Sequence, residues 1–155
     1  MDIKALAYRK FSALETGCPK LKSRPKIFFI QACRGGRCER TITISDSDRP
    51  LEMDFLFMYP TSPGRQSYRD DVYGSCFITN LCGLLKLYAD KRNLTSILHA
   101  VIQKETVLDD PRELCNNKGE VIQTTRQCPT YDSTLCGSVF FSYKAYGRYK
   151  RLGLC

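Results

Sequence analysis

The 155 residues carry 24 Lys and Arg against 16 Asp and Glu, a formal net charge of +8, with 43% hydrophobic and 26% charged side chains. That length is about one domain, and the balance is that of a soluble globular chain, not of a disordered or fibrous one. The longest apolar runs are four or five residues, far short of the roughly 20 that a spanning helix needs, so no membrane role is expected.

Nine cysteines at irregular spacing include no Cys-x-x-Cys pair, and His99 is the single histidine. Zinc sites group four ligands closely, so no metal and no cofactor is expected. Residues 1–24 are charged and lack the apolar stretch of a signal peptide. Reduced thiols and a cytoplasmic location follow as expectations. A basic balance can point to nucleic acid, but Lys and Arg are scattered. Only Lys144 to Arg151 interleaves tyrosines with cations in a way that suits single strands. A solvated tail is the plainer reading, and nucleic acid is not the expected partner.

Along the chain, Ile3, Leu6, Ala7, Phe11 and Leu14 recur at helical spacing, predicting a short amphipathic helix within residues 2–16. Gly17, Pro19 and Pro25 end it. Ile27 to Ile30 form a continuous apolar run, which fits a strand buried on both faces. Gly35 and Gly36 stop that strand, so Gln31, Ala32 and Cys33 fall at its carboxyl end. Open α/β sheets place their ligand crevice there. A cysteine at that point, beside Arg34, is a nucleophile candidate, although a free Cys is more commonly a buried structural thiol.

Residues 37–52 mix arginines with acidic residues and show no apolar period, as a loop or linker would. Met53 to Tyr59 is a second apolar run and the next predicted strand. Pro60 to Gly64 turns the chain into Gln66-Ser67-Tyr68-Arg69. Residues 74–92 predict a helix with Phe77, Leu81, Leu84, Leu85 and Tyr88 on one face. A second helix starts at Asn93, a plausible N-cap, and runs to about 105 with His99 on its surface. Residues 106–127 read as a long polar loop with a short strand at Val121-Ile122. Val139 to Tyr143 predicts the last strand, and residues 148–155 a loose tail. No internal repeat is present.

Gln31-Ala32-Cys33-Arg34-Gly35 matches the local signature of the caspases. Together with the strand before it and the Ser67-Tyr68-Arg69 block after the next strand, it makes residues of about 17 to 144 resemble the end of a caspase large subunit followed by a small subunit. The resemblance implies a three-layer α/β/α sandwich with a mixed sheet, here a truncated portion of about three core strands. It divides the chain into residues 1–38 (end of the large-subunit region), 39–52 (inter-subunit linker), 53–147 (small-subunit region) and 148–155 (tail). It implies a cysteine endopeptidase that cuts after aspartate, in apoptosis or related proteolytic signalling. Its substrates would be peptides or proteins with Asp at P1.

By the same resemblance Cys33 is the catalytic nucleophile. Gln31 and Arg69 form the pocket for the P1 aspartate, with Ser67 and Tyr68 beside it. A guanidinium is a permanently charged planar fork suited to a carboxylate. Tyr68 stands where the family commonly has tryptophan, which affects preference beyond P1. Maturation cuts fall after aspartates of the linker, with Asp46 the first candidate and Asp48 and Asp54 behind it. The last strand, 139–143, would pair with a second molecule as a homodimer or heterodimer. The family's histidine lies about 50 residues upstream of its cysteine. Here 32 residues precede Cys33 and none is histidine. The base, a glycine oxyanion donor, a first P1-pocket arginine and the first strands belong to an upstream part, so this chain alone is expected to be inactive. The alternative is a non-catalytic caspase-like regulator that dimerises with an intact caspase.

Overall fold

Five consecutive residues, Phe55–Tyr59, form a strand in which every residue is buried. A strand that is dry on both faces needs cover on both sides, and the rest of the fold supplies it. The computed structural model describes residues 3–11, 18–21, 24–34, 53–69, 74–109, 111–115 and 121–144. In chain order the elements are α1 (Ile3–Phe11), a 3-10 turn (Pro19–Leu21), β1 (Lys26–Phe29), β2 (Phe55–Tyr59), α2 (Cys76–Tyr88) and α3 (Leu94–Gln103). A π-helical turn (Lys104–Leu108) continues α3, and β3 (Arg112–Cys115), β4 (Val121–Thr125) and β5 (Thr130–Ser133) follow.

The main sheet has the order β1-β2-β5. β1 runs parallel to β2, with Lys26 opposite Phe55 and Phe29 opposite Met58. β5 runs antiparallel to β2, with Leu56 opposite Ser133 and Tyr59 opposite Thr130. Because strand side chains alternate between faces, β2 splits its residues between two cores. Leu56 and Met58 pack with Phe77 and Leu81 of α2 and with Leu94, Leu98 and Val101 of α3. Phe55, Phe57 and Tyr59 pack with Ala7 of α1, and Phe11, Phe28 and Ile30 close that side. Phe28 and Phe57 stack with centroids 5.0 Å apart. The result is the expected three-layer α/β/α sandwich around a three-stranded mixed sheet.

Local chemistry sets the helix starts. Ser75 caps α2 by accepting the Ile78 N–H at 3.2 Å. Asn93 caps α3 by accepting the Ser96 N–H at 2.8 Å, as its residue type suggested. The predicted strand at 121–122 is the start of β4. Its antiparallel partner β3 turns the expected polar loop into a hairpin.

One expectation fails. Residues 139–143 are not a strand. The antiparallel edge of β2 is occupied instead by β5, whose polar sequence Thr-Tyr-Asp-Ser carried no apolar signal. The chain leaves the sheet after β5, and Val139 accepts the Leu94 N–H through its carbonyl at 2.8 Å. Phe141 and Tyr143, the residues that would have alternated into a core, are 52% and 86% exposed. The assignments for 39–52, Asp46, Asp48, Leu14 and 148–155 lie outside the described residues. Among those described, no helix is long and apolar enough to cross a membrane.

Asp54, the third cleavage candidate, is a structural node. Its φ is +63°, a left-handed conformation that Asp tolerates better than most residues. Its N–H donates to the Thr134 carbonyl at 3.0 Å, and its carbonyl accepts the Lys26 N–H at 2.7 Å. Its Oδ1 accepts the Cys136 N–H at 3.0 Å. One residue thus ties the starts of β1 and β2 to the exit of β5. Asp54→Ala removes the side-chain acceptor and adds left-handed strain, and should lower unfolding free energy by about 2 kcal/mol, with Asp54→Asn costing less than about 1 kcal/mol. Urea unfolding followed by far-UV circular dichroism measures both.

Candidate active site

The site grows from the carboxyl end of β1. Ile30 extends the parallel ladder by donating to the Met58 carbonyl at 2.9 Å. Two residues beyond β2, Ser62-Pro63-Gly64-Arg65 form a turn closed by the Arg65 N–H on the Ser62 carbonyl at 3.2 Å. Gly64 has φ +79°, which is the third position of a type II turn and the reason a glycine stands after Pro63. The turn brings the chain back against β1's end. Arg34 donates its N–H to the Arg65 carbonyl at 3.0 Å and accepts the Gly64 N–H at 2.9 Å. This pairing places Ser67 beside Cys33.

Cys33 is exposed, and Ser67 surrounds its sulfur. The Ser67 N–H donates to Sγ at 3.4 Å. The Ser67 hydroxyl lies 3.5 Å from Sγ and its carbonyl 3.6 Å. The hydroxyl is the main cause, and the backbone the second, of a Cys33 pKa held below that of an ordinary thiol, with slight burial opposing them. Hydrogen bonds to a charged form favour it. A thiolate is the nucleophilic form of cysteine, so this geometry favours reactivity at neutral pH.

Gln31 links three segments. Its Oε1 accepts from the Ser75 hydroxyl, the α2 N-cap, at 2.7 Å, and its Nε2 reaches Ser67 Oγ at 3.4 Å. Tyr68 is half-buried and donates its N–H to Gln127 Oε1 at 2.8 Å. Arg69 is exposed at the end of the same stretch. Cys33 and Gln31 therefore both contact Ser67, Tyr68 and Arg69 continue the chain from Ser67, and Asp46 is outside the described residues. Beside Tyr68 a cavity of about 380 Å³ is lined by Thr61, Ser62, Arg65, Gln66, Arg126 and Cys128.

Arg34 does not serve the thiol. Its guanidinium lies 4.2 Å over the Tyr59 ring, and Nη1 donates to Thr130 Oγ1 at 3.3 Å. It pins the signature loop to β2 and β5. His99 is exposed on α3, as expected of a helix-surface histidine, and its Nε2 lies 2.9 Å from the Tyr131 hydroxyl. Among the described residues, Ser67 supplies every polar contact to Cys33, and no group of three potential metal ligands exists. Sequence reasoning missed Ser75 and Gln127. A serine just before the apolar period of α2 was a readable N-cap signal, whereas nothing local marks Gln127.

A family model, Peptidase_C14, the caspase domain, matches residues 7–140. The chain is 44% identical over 95 residues to mouse (Mus musculus) caspase-3, covering 56% of this chain and 34% of that protein. To caspase-3 of Xenopus laevis it is 42% identical over 92 residues, covering 54% and 33%. The chain thus matches about a third of the length of these relatives. The crystal structure of caspase-1 from Spodoptera frugiperda superposes with a TM-score of 0.70 at 34% identity, over 93% of this chain and 55% of that one. The carboxyl-end cysteine, the sandwich that carries it and the match over residues 7–140 agree: the chain belongs to the caspase family.

Proposed function

We propose that this chain is the nucleophile-bearing part of a caspase-type cysteine endopeptidase that cleaves after aspartate in apoptotic or related signalling, in the cytoplasm. The observation that carries this reading is Cys33 at the end of β1 with Ser67 donating to its sulfur. Cys33 thiolate attacks the scissile carbonyl carbon, forming the C–S bond and placing negative charge on the carbonyl oxygen. The Cys33 backbone N–H is one donor to that oxyanion. Collapse of the adduct breaks the C–N bond, and the leaving amine takes a proton. Water then hydrolyses the thioester and frees the thiol. Arg69 and Gln31 hold the P1 carboxylate, and Ser67 and Tyr68 border the neighbouring subsites. Residues 1–38, the linker 39–52 with its cut after Asp46, and 53–147 follow the large-subunit and small-subunit division. The chain alone is read as inactive: no histidine stands among the 32 residues before Cys33, and His99, on α3, pairs with Tyr131 and not with the thiol.

A second reading is favoured by one observation. Among the described residues, β5 is the edge of the main sheet, with β2 on one side only. An unpaired strand edge is a template for another chain. In this reading the chain is a regulator that pairs with an intact caspase, or with itself, through Thr130–Ser133 and not through 139–143. Size-exclusion chromatography with an intact caspase decides it, and two separate peaks at micromolar concentrations would remove it.

Two outcomes test the endopeptidase. Transcript sequencing upstream of Met1 should find an in-frame histidine about 50 residues before Cys33. The longer protein should then cleave an Asp-containing fluorogenic peptide and spare its Asn analogue. Arg69→Ala should lower kcat/KM by about a hundredfold, since truncating one partner of a bound charge pair costs several kcal/mol. Equal cleavage of the Asp and Asn peptides would overturn the assignment. In the present chain, Ser67→Ala removes the main donor that holds the Cys33 pKa down. The pH midpoint for iodoacetamide alkylation of Cys33, read by peptide mass spectrometry, should therefore move up, and the rate at pH 7 should fall.

A further inference from the structure

Two polar side chains are buried deeply where the reaction chemistry does not use them. Glu105 is 3% exposed and Gln127 2%. Glu105 lies in the π-helical turn after α3, and Gln127 precedes β5. Each carboxylate oxygen of Glu105 holds an amide from a different segment. Asn80 of α2 donates to Oε1 and also reaches Asp109 Oδ2 at 2.8 Å. Gln127 Nε2 donates to Oε2 at 3.4 Å. Arg126 binds the same turn to the same segment, its Nη1 donating to the carbonyls of Thr106, Val107 and Asp109 at 3.3, 3.1 and 2.6 Å. A buried carboxylate is costly unless it is well bonded, so apolar packing does not account for a glutamate there.

The chemistry of the pair is directional. A side-chain amide can present either its oxygen or its NH2 to a neighbour, but an ionised carboxylate only accepts. Glu105 therefore fixes which end of Gln127 faces it and leaves Oε1 for the Tyr68 N–H, 2.8 Å away. That N–H shares one rigid peptide plane with the Ser67 carbonyl, which lies 3.6 Å from Cys33 Sγ. Gripping one side of the plane sets the other.

We propose that Glu105 and Gln127 are positioning residues for Cys33. The carboxylate locks the Gln127 amide, Gln127 holds the Tyr68 N–H, and the Ser67–Tyr68 peptide plane so gripped fixes the Ser67 Cα, from which the hydroxyl and N–H of Ser67 reach the sulfur. The inference rests on the reading of Cys33 as the nucleophile, and neither residue touches the thiol.

The test is iodoacetamide alkylation of the whole 155-residue chain across pH 5–9, resolved by peptide mass spectrometry, with exposed Cys82 of α2 as the internal reference. Gln127→Ala should slow Cys33 severalfold at pH 7 and move its midpoint up, leaving Cys82 unchanged. Glu105→Gln, which keeps the volume but puts an NH2 group where an oxygen accepted, should do the same to a smaller extent. Adding Gln127→Ala to Ser67→Ala should slow Cys33 less than Gln127→Ala slows it in the unmodified chain, because the hydroxyl is already gone and only the Ser67 N–H remains for the relay to hold. General loosening predicts the opposite sign, faster alkylation at Cys33 and Cys82 together, and that result overturns the proposal. So does an unchanged Cys33 rate in folded variants. If Gln127→Ala fails to fold by circular dichroism, Glu105→Gln decides. If Cys33 of the unmodified chain reacts no faster than Cys82, the nucleophile reading itself falls and takes the relay with it. Silent variants beside a fast Cys33 remove the relay alone.

Discussion

The structure depends on β2 being dry on both faces. Burying a large apolar side chain contributes roughly 2 kcal/mol, and β2 buries five in a row. No surface contact competes. The Lys4–Asp132 ion pair between α1 and β5 is exposed enough to be worth less than about 1 kcal/mol. Burial thus dictates that α1 covers one face and that α2 and α3 cover the other. It also dictates that the polar termini of the strands emerge together at one end. Cys33 follows β1 and the Ser62–Arg65 turn follows β2, and these strands are parallel. Their carboxyl ends therefore meet, and Cys33 meets Ser67 without any long-range device.

What the core cannot do is set ångström-level geometry at an exposed thiol. The bonds at Cys33 are long, 3.4 to 3.6 Å, and water competes for them. Precision at such a site comes from supporting contacts beneath it. Here two are visible. Gln31 is tied to the Ser75 cap of α2, so the start of that helix registers the signature loop. The Asn80–Glu105–Gln127 chain ties the Ser67–Tyr68 segment to α2 and to the π-helical turn that continues α3. Both supports end on α2, one of the two helices that fill the β2 core, so packing and site geometry are mechanically one system.

Much of this was legible before any coordinates. The apolar runs Ile27–Ile30 and Met53–Tyr59 announced strands; β2 is buried throughout, whereas Ile27 to Ile30 are only half-buried, short of the strand dry on both faces that their run suggested. Asn93 announced a helix start, and the signature around Cys33 announced the family. Legibility failed where the deciding partner is distant in sequence. β5 reads as polar because Thr130, Asp132 and Ser133 are accommodated at a sheet edge, where only Tyr131 needs to pack inward. Val139–Tyr143 reads as a strand because aromatics favour strands, but the edge it needed was already taken. Asp54 read as a lesser cleavage candidate, and only its φ and its bonds to Thr134 and Cys136 reveal a clamp. Glu105 and Gln127 are 22 residues apart and share no local pattern, so no reading of either neighbourhood could pair them.

Thiol chemistry of the kind proposed for Cys33 has two separate requirements. Attack requires a thiolate, and hydroxyl and amide donors suffice to favour one. Expulsion of an amine requires a proton delivered at the right moment, which a serine hydroxyl with its high pKa does not supply. Imidazole does, because its pKa lies near neutrality. Ser67 surrounds the Cys33 sulfur, while His99 of α3 is bonded to Tyr131 of β5. The geometry in hand therefore meets the first requirement: donors on the sulfur favour the thiolate, and among the described residues no imidazole contacts it.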